Sequence, residues 1–266
     1  MVRYLVFFLV FIPIMGLSQE NLLPKFIQSA PQADARLIQS KIDNFVFIQK
    51  GKMKEARNEV NFLKSLVNES HKKFLKSYKA YSRFDEQFET GHYDCLTGTA
   101  FFSLILQALE IEYKIIETNY HIFLLIDTKK GKVLLETTDR LFGFKTDPNE
   151  VEKCLAQYGQ NQLNTNSSQQ LHYRYQVSLF REVAPTQLTG LLYFNQAVVA
   201  YNNHQWETCV ERLGKARYIY DNPRVDELTQ ILATSISLSN LADKEKQKLL
   251  IHLGQFASHL PLLAIR

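Results

Sequence analysis

Between Gly91 and Thr138 the spacing of the apolar residues switches from the period of a helix to that of a strand, which leaves few folds open. Gly91 breaks a helical stretch, and a new helix is expected to start at Asp94 or Cys95, Asp94 being a good N-cap type. Phe101, Phe102, Ile105, Leu106 and Leu109 give that helix a broad apolar face that has to be buried. Residues 111–118, 120–127 and 132–138 then alternate as strands do, with 127–131 as a hairpin loop. A buried helix followed by a strand series is an α+β arrangement.

Upstream, residues 32–88 read as mostly helical. Leu37, Ile38, Ile42, Phe45 and Val46 recur at helix spacing, as do Phe62, Leu63, Leu66 and then Phe74, Leu75 and Tyr78, with Gly51 dividing the two stretches. His71, Lys72, Lys73 and Lys76 read as a solvated helix face. Downstream, residues 157–170 are rich in glutamine, asparagine and serine and read as an exposed loop, while 172–179 alternate as one more strand before Pro185.

The chain starts with basic Arg3, an apolar run from Tyr4 to Met15 and the small-residue stretch Gly16-Leu17-Ser18. This is the pattern of a cleaved export signal over residues 1–18, with cleavage near Ser18-Gln19. A membrane anchor is the alternative, but the run is short of the roughly 20 apolar residues a span needs, and Pro13 interrupts it. The expectation is a secreted or periplasmic protein with no stable membrane span after cleavage. The formal charge of +4, about +3 without Arg3, makes no case for nucleic acid. Cys95, Cys154 and Cys209 are an odd number of thiols for an exported chain; Cys154 and Cys209 could pair, and at least one stays unpaired within the chain.

Chemistry concentrates at Cys95, His121 and Glu136. At a helix N-terminus the unsatisfied amides and the macrodipole favour a thiolate, and the same amides can stabilise an oxyanion. Asp94 acts against this by like charge unless its carboxylate is spent on the helix cap. His121 alternates onto the face of Phe123 and Leu125, opposite Ile122, Leu124 and Ile126. If the hairpin pairs symmetrically about residues 128 and 129, position 121 faces position 136 and the imidazole meets a carboxylate. If Gly131 instead takes a left-handed bulge position, a one-residue slip turns Glu136 away and Asp139 becomes the better acid. His92, Cys95 and His121 lack the fourth ligand of a structural metal site, so no metal or other cofactor is expected.

Gly91-His92-Tyr93-Asp94-Cys95 with its apolar helix, Tyr120-His121 and Glu136-Thr137-Thr138 resemble the transglutaminase-like core of the papain-type cysteine enzymes, in the form found in exported bacterial proteins. That family has cysteine at the start of a buried helix, histidine on a following strand and an acid on the next strand, often as aspartate-x-threonine about fifteen residues after the histidine. Glu136 stands fifteen residues after His121, with glutamate in place of aspartate, and Ile122 and Phe123 stand where the familiar tryptophan would be. The likeness covers roughly residues 55–145. It implies a Cys95, His121, Glu136 triad and a protein or peptide substrate; Asp139 stays the alternative acid on the register argument, and Tyr93 and His92 are oxyanion candidates only by their closeness to Cys95 in sequence.

From Thr189 the chain is helical. Tyr193, Ala197, Tyr201, Trp206, Cys209, Leu213, Ala216 and Pro223 resemble one tetratricopeptide repeat, and residues 225–238 and 244–256 continue at helix spacing. The expected organisation is a transglutaminase-like domain with N-terminal helices over 19–185 and a TPR-like helical region over 186–266. Two functions follow: a thiol acyltransferase or amide hydrolase, or a catalytically silent fold that binds a protein partner through its C-terminal helices.

Overall fold

The computed structural model describes residues 20–30, 32–119, 121–159 and 179–257. The expected export signal, most of the polar loop after Gln157 and all but Leu179 of the expected strand over 172–179 lie outside them.

The N-terminal layer is helical: α1 (Leu23–Gln28), α2 (Ala35–Glu55) and α3 (Glu59–Lys73). Asp34 caps α2 by accepting the Leu37 amide at 3.0 Å, and Asn58 caps α3 by accepting that of Asn61 at 2.9 Å. Gly51 does not divide the helices as expected. It sits exposed inside α2 with nothing within 4 Å of where a Cβ would stand, and the helix continues to Glu55. A helical glycine costs only about 1 kcal/mol, whereas the Asn58 cap starts a new helix.

The expected solvated face on α3 also needs correction at His71. Its ring is buried edge-on to Tyr93, with centroids 5.7 Å apart, and burial lowers its pKa. Tyr78 likewise leaves the helical stretch. It lies in β1 (Ser77–Tyr78), which pairs in parallel with β2 (His92–Tyr93) across the short α4 (Glu86–Glu89). Gly91, at φ +86°, makes the turn into β2.

The period switch becomes α5 (Cys95–Ala108), buried from Leu96 to Leu106, followed by β3 (Tyr113–Thr118), β4 (Ile122–Thr128) and β5 (Gly131–Leu135). With β6 (Phe144–Lys145) and β7 (Phe180–Val183) they form an antiparallel sheet of order β6-β5-β4-β3-β7. The molecule is thus α+β. Ile115, Ile122, Leu124, Ile126, Val133 and Leu135 face the main core, where Phe45, Phe74, Phe88 and Phe101 pack ring on ring. Ile116, Phe123, Leu125 and Leu134 face the other way, against Val151, Cys154, Leu155 and Tyr158 of α6 (Pro148–Gly159). The alternation expected for β4 is the one observed.

The helical region comprises α7 (Leu188–Asn202), α8 (Trp206–Ile219), α9 (Pro223–Leu238) and α10 (Asp243–Gly254). It is not separate from the rest: Leu191, Phe194 and Leu213 belong to the same continuous core as Phe26, Phe101 and Ile105. The Tyr193 hydroxyl donates to the Gln28 carbonyl at 3.0 Å, and Gln196 Nε2 to that of Ser29 at 2.8 Å. The expected option of a Cys154–Cys209 disulfide is not realised, and all three thiols are free. Cys154 lies on the sheet's outer face while Cys209 is fully buried in α8, where burial pushes its thiol up to about 12. Among the described residues no helix is long and apolar enough to cross a membrane.

Candidate active site

Cys95 is the first residue of α5, and the cap is tied from both sides. Asp94 accepts the Thr97 amide at 2.8 Å and the Thr97 hydroxyl at 2.9 Å, while the Asp94 amide donates back to that hydroxyl at 2.9 Å. The amides of Leu96 and Tyr81 also turn to this carboxylate. Burial pushes Asp94 up to about 6 in spite of these hydrogen bonds. With Leu96 and Thr97 turned to Asp94, the helix-end amide next to the sulfur is that of Cys95 itself.

His121 closes the connection between β3 and β4. Its amide donates to the Thr118 hydroxyl at 3.1 Å, and its carbonyl accepts the Thr118 amide at 2.8 Å and that hydroxyl at 3.1 Å. Because it stands where β4 begins, the ring can reach around the sheet end towards Cys95, whose sulfur is near enough to raise the imidazole's pKa. Its Nε2 lies 3.1 Å from Oε1 of Glu136. The ring N–H is not aimed along that line, so the contact acts chiefly as a charge pair. Burial alone would lower the His121 pKa, but the Cys95 sulfur and the Glu136 carboxylate overcome it and hold the imidazolium to about 10.

Glu136 reaches His121 by a register other than the expected one. The hairpin closes on the pair Thr128 and Gly131, with Gly131 at φ +118°, so it is symmetric about Lys129 and Lys130. Continuing the observed pairing of Leu124 with Leu135 puts Glu136 opposite Phe123 rather than His121. The displacement is two residues, which keeps Glu136 on the His121 face and makes their contact diagonal. Oε2 of Glu136 accepts the Tyr158 hydroxyl at 2.7 Å and Oε1 that of Thr138 at 3.1 Å. Burial works to raise the Glu136 pKa, yet His121 and these hydroxyls depress it to about 2. Asp139 spends its Oδ1 on the amides of Leu141 and Phe142, at 3.1 and 2.9 Å, and serves the turn that follows.

Two close approaches fix the acid. A Cβ on Gly98 of α5 would stand 2.6 Å from the Thr137 hydroxyl oxygen, and that hydroxyl lies 3.5 Å from the Cys95 carbonyl. A Cβ on Gly143 would stand 2.2 Å from the Glu136 carbonyl oxygen, which the turn's bond from the Glu136 amide to Gly143 (2.8 Å) requires. Only glycine admits these contacts.

The two oxyanion candidates stand differently. His92 Nδ1 pairs with the Thr90 hydroxyl at 2.9 Å, and Tyr93 is buried against His71. Three tyrosines not expected to bear on the site stand near it. Partial burial and then the charges of Cys95 and Asp94 push the half-exposed Tyr78 up to about 12, and burial followed by Asp94 and Cys95 raises Tyr81. Tyr158 stacks on Phe123 at 4.8 Å and on His121 at 5.6 Å. A signal for Tyr158 existed: Val151, Cys154, Leu155 and Tyr158 recur at helix spacing, hidden by the polar stretch that begins at Gln157. Among the described residues no three His, Cys, Asp or Glu side chains gather as a metal-ligand set.

No family model, no curated protein and no solved structure matches this chain. Its chemistry has to be read from the site itself.

Proposed function

We propose that the chain is a transglutaminase-like cysteine acyltransferase or amide hydrolase, exported if residues 1–18 act as the signal their pattern suggests. The observation that carries this reading is His121, whose Nε2 lies 3.1 Å from Glu136 Oε1 and whose pKa the nearby Cys95 sulfur helps to raise. Cys95 would attack the carbonyl carbon of a peptide or carboxamide, the Cys95 amide would donate to the oxyanion, and the imidazolium of His121 would protonate the departing amine. The products of that half-reaction are a thioester on Cys95 and a free amine. His121 then takes a proton from the second nucleophile, which displaces the sulfur. Water gives hydrolysis and an amine gives a cross-link. Glu136 stabilises the positive charge of the imidazolium.

The test is labelling of the full chain by iodoacetamide at neutral pH. Cys95 should react first, the signal should vanish in Cys95→Ala, and it should persist in Cys154→Ala and Cys209→Ala. Equal reaction at all three thiols, or none at Cys95, would sink the reading.

A second reading, in which the fold is silent and its TPR-like helices bind a protein, draws on Tyr218, Leu238 and Ile251, large apolar side chains exposed on α8, α9 and α10. It requires that the full chain carrying Cys95→Ala still retain a partner in a pull-down, and that Tyr218→Ser or Leu238→Ser release it.

A further inference from the structure

Away from the triad, β3 holds a buried carboxylate. Glu117 is 1% exposed, and burying an isolated charge there would be prohibitive. Its Oε1 lies 3.1 Å from Arg224 Nη1 and accepts the Tyr220 hydroxyl, and its Oε2 lies 3.1 Å from Arg181 Nε. The Arg181 guanidinium in turn lies over the Tyr220 ring at 4.9 Å. Packing helices on an edge of a sheet needs no such cluster, since apolar residues of similar volume serve stability as well or better. Its geometry suggests a different use.

Arg224 sits in the first turn of α9, where its amide donates to the capping Asn222 side chain at 2.9 Å. Its planar fork is divided between two partners: Nη1 faces Glu117 and Nη2 donates to the backbone carbonyl of Thr118. Thr118 is the residue that closes the turn on His121, through the three hydrogen bonds at 2.8 to 3.1 Å. Arg224 therefore grips, from the C-terminal helices, the main chain on which His121 is mounted. Beside it, the Asn119 side chain accepts the Leu179 amide, which ties the same turn to the approach to β7.

We propose that Arg224, backed by Glu117, is a positioning residue for His121, so that the C-terminal helices complete the active site from within the chain. This rests on the triad reading above. A general base has to stand within hydrogen-bond reach of its proton, and small misplacements are costly in rate. Glu136 and the stacked Tyr158 act on the ring, but the position of the ring still follows the main chain of the turn that carries it. The Arg224 fork holds that main chain without touching the reacting atoms.

The experiment measures the pH dependence of Cys95 alkylation by iodoacetamide in the full chain, for wild type, His121→Ala, Arg224→Gln and Arg224→Lys. Arg224→Gln should lower the rate at neutral pH about tenfold and shift its profile towards that of His121→Ala, with the far-UV circular dichroism spectrum unchanged. Arg224→Lys keeps a charge opposite Glu117 but loses the second nitrogen that reaches Thr118; it should fold even if the glutamine variant does not, and should show the same shift in smaller degree. A folded Arg224→Lys with the wild-type rate and profile would overturn the proposal. If His121→Ala itself leaves the profile unchanged, the triad reading fails. If His121→Ala changes it and the Arg224 variants do not, only the mount is refuted.

Discussion

The hydroxyl of Tyr158 donates to Oε2 of Glu136 at 2.7 Å while Oε1 of the same carboxylate lies 3.1 Å from Nε2 of His121. The acid is thus held at both oxygens, and the residue that holds it comes from the helix on the outer face of the sheet. Tyr158→Phe keeps the ring that stacks on Phe123 and removes only the donor. A hydrogen bond to a charged group contributes about 1.5–3 kcal/mol, and partial exposure puts this one at the lower end. The alkylation rate of Cys95 should fall several-fold, and the acid limb of its pH profile should move up as Glu136 becomes easier to protonate. A variant with both rate and acid limb at wild-type values would show that Tyr158 is packing alone.

The pH dependence of stability carries the signature of the ion pair. The folded pKa of His121 is raised from 6.5 to about 10, so its contribution is full below about 6.5 and is lost as pH rises through about 10. That of Glu136 is lowered from 4.5 to about 2, so its contribution is full above about 4.5 and is lost as pH falls towards 2. Urea denaturation should therefore find the gap between wild type and a His121→Ala, Glu136→Ala double variant widest between about pH 4.5 and 6.5, narrowing on either side. A gap that stays constant up to pH 10 contradicts the pairing.

Gly98→Ala tests how the acid is seated. The new methyl would meet Thr137 Oγ1 at 2.6 Å and Thr137 Cβ at 2.9 Å, both fixed by the core. Overpacking of this kind costs about 1–3 kcal/mol. The urea midpoint should drop accordingly, and Cys95 alkylation should slow by more than the loss of stability explains, because the strain displaces the residue next to Glu136. An unchanged midpoint would mean that the helix and the strand can part freely.

Asp94→Ala removes the cap that sets Cys95 at the helix start. Losing an N-cap of this type costs about 0.5–2 kcal/mol. Asp94→Asn keeps an acceptor for the Thr97 amide and avoids a buried charge above about pH 6, so it should retain most of the stability at pH 8 that the alanine variant loses. Equal melting of the two variants at that pH would refute the cap as the reason for Asp94.

Residues 186–266 should not fold alone, nor residues 20–185. Leu188, Leu191, Phe194 and Tyr193 are buried in the core that Phe26 and Phe101 share. Neither fragment should give a cooperative thermal transition. A cooperative melt from the helical fragment would restore it as a module.

How much of this was written in the sequence can be seen at particular residues. The α+β class followed from the change of period after Leu109, and the helix start from Asp94 before Cys95, because both are local: one is set by which residues share a face, the other by a side chain within reach of amides three residues on. The face shared by His121 and Glu136 was also legible, since any even displacement of the hairpin preserves it. The displacement itself was not, because Thr128, Lys129, Lys130 and Gly131 suit more than one closing pair. Gly51 misled for the complementary reason: a glycine's weak local preference yields to a helix held by its buried face.

The sequence by itself determined the period, the cap and the parity that let a thiol, an imidazole and a carboxylate stand near one sheet end. Only the tertiary structure decided that Glu136 rather than Asp139 meets His121, that Tyr158 holds the acid, and that Arg224 grips the turn beneath the imidazole. Those are contacts between residues 15, 22 and 106 positions apart. They depend on how whole elements pack, a sum of many weak burial terms that no local pattern encodes.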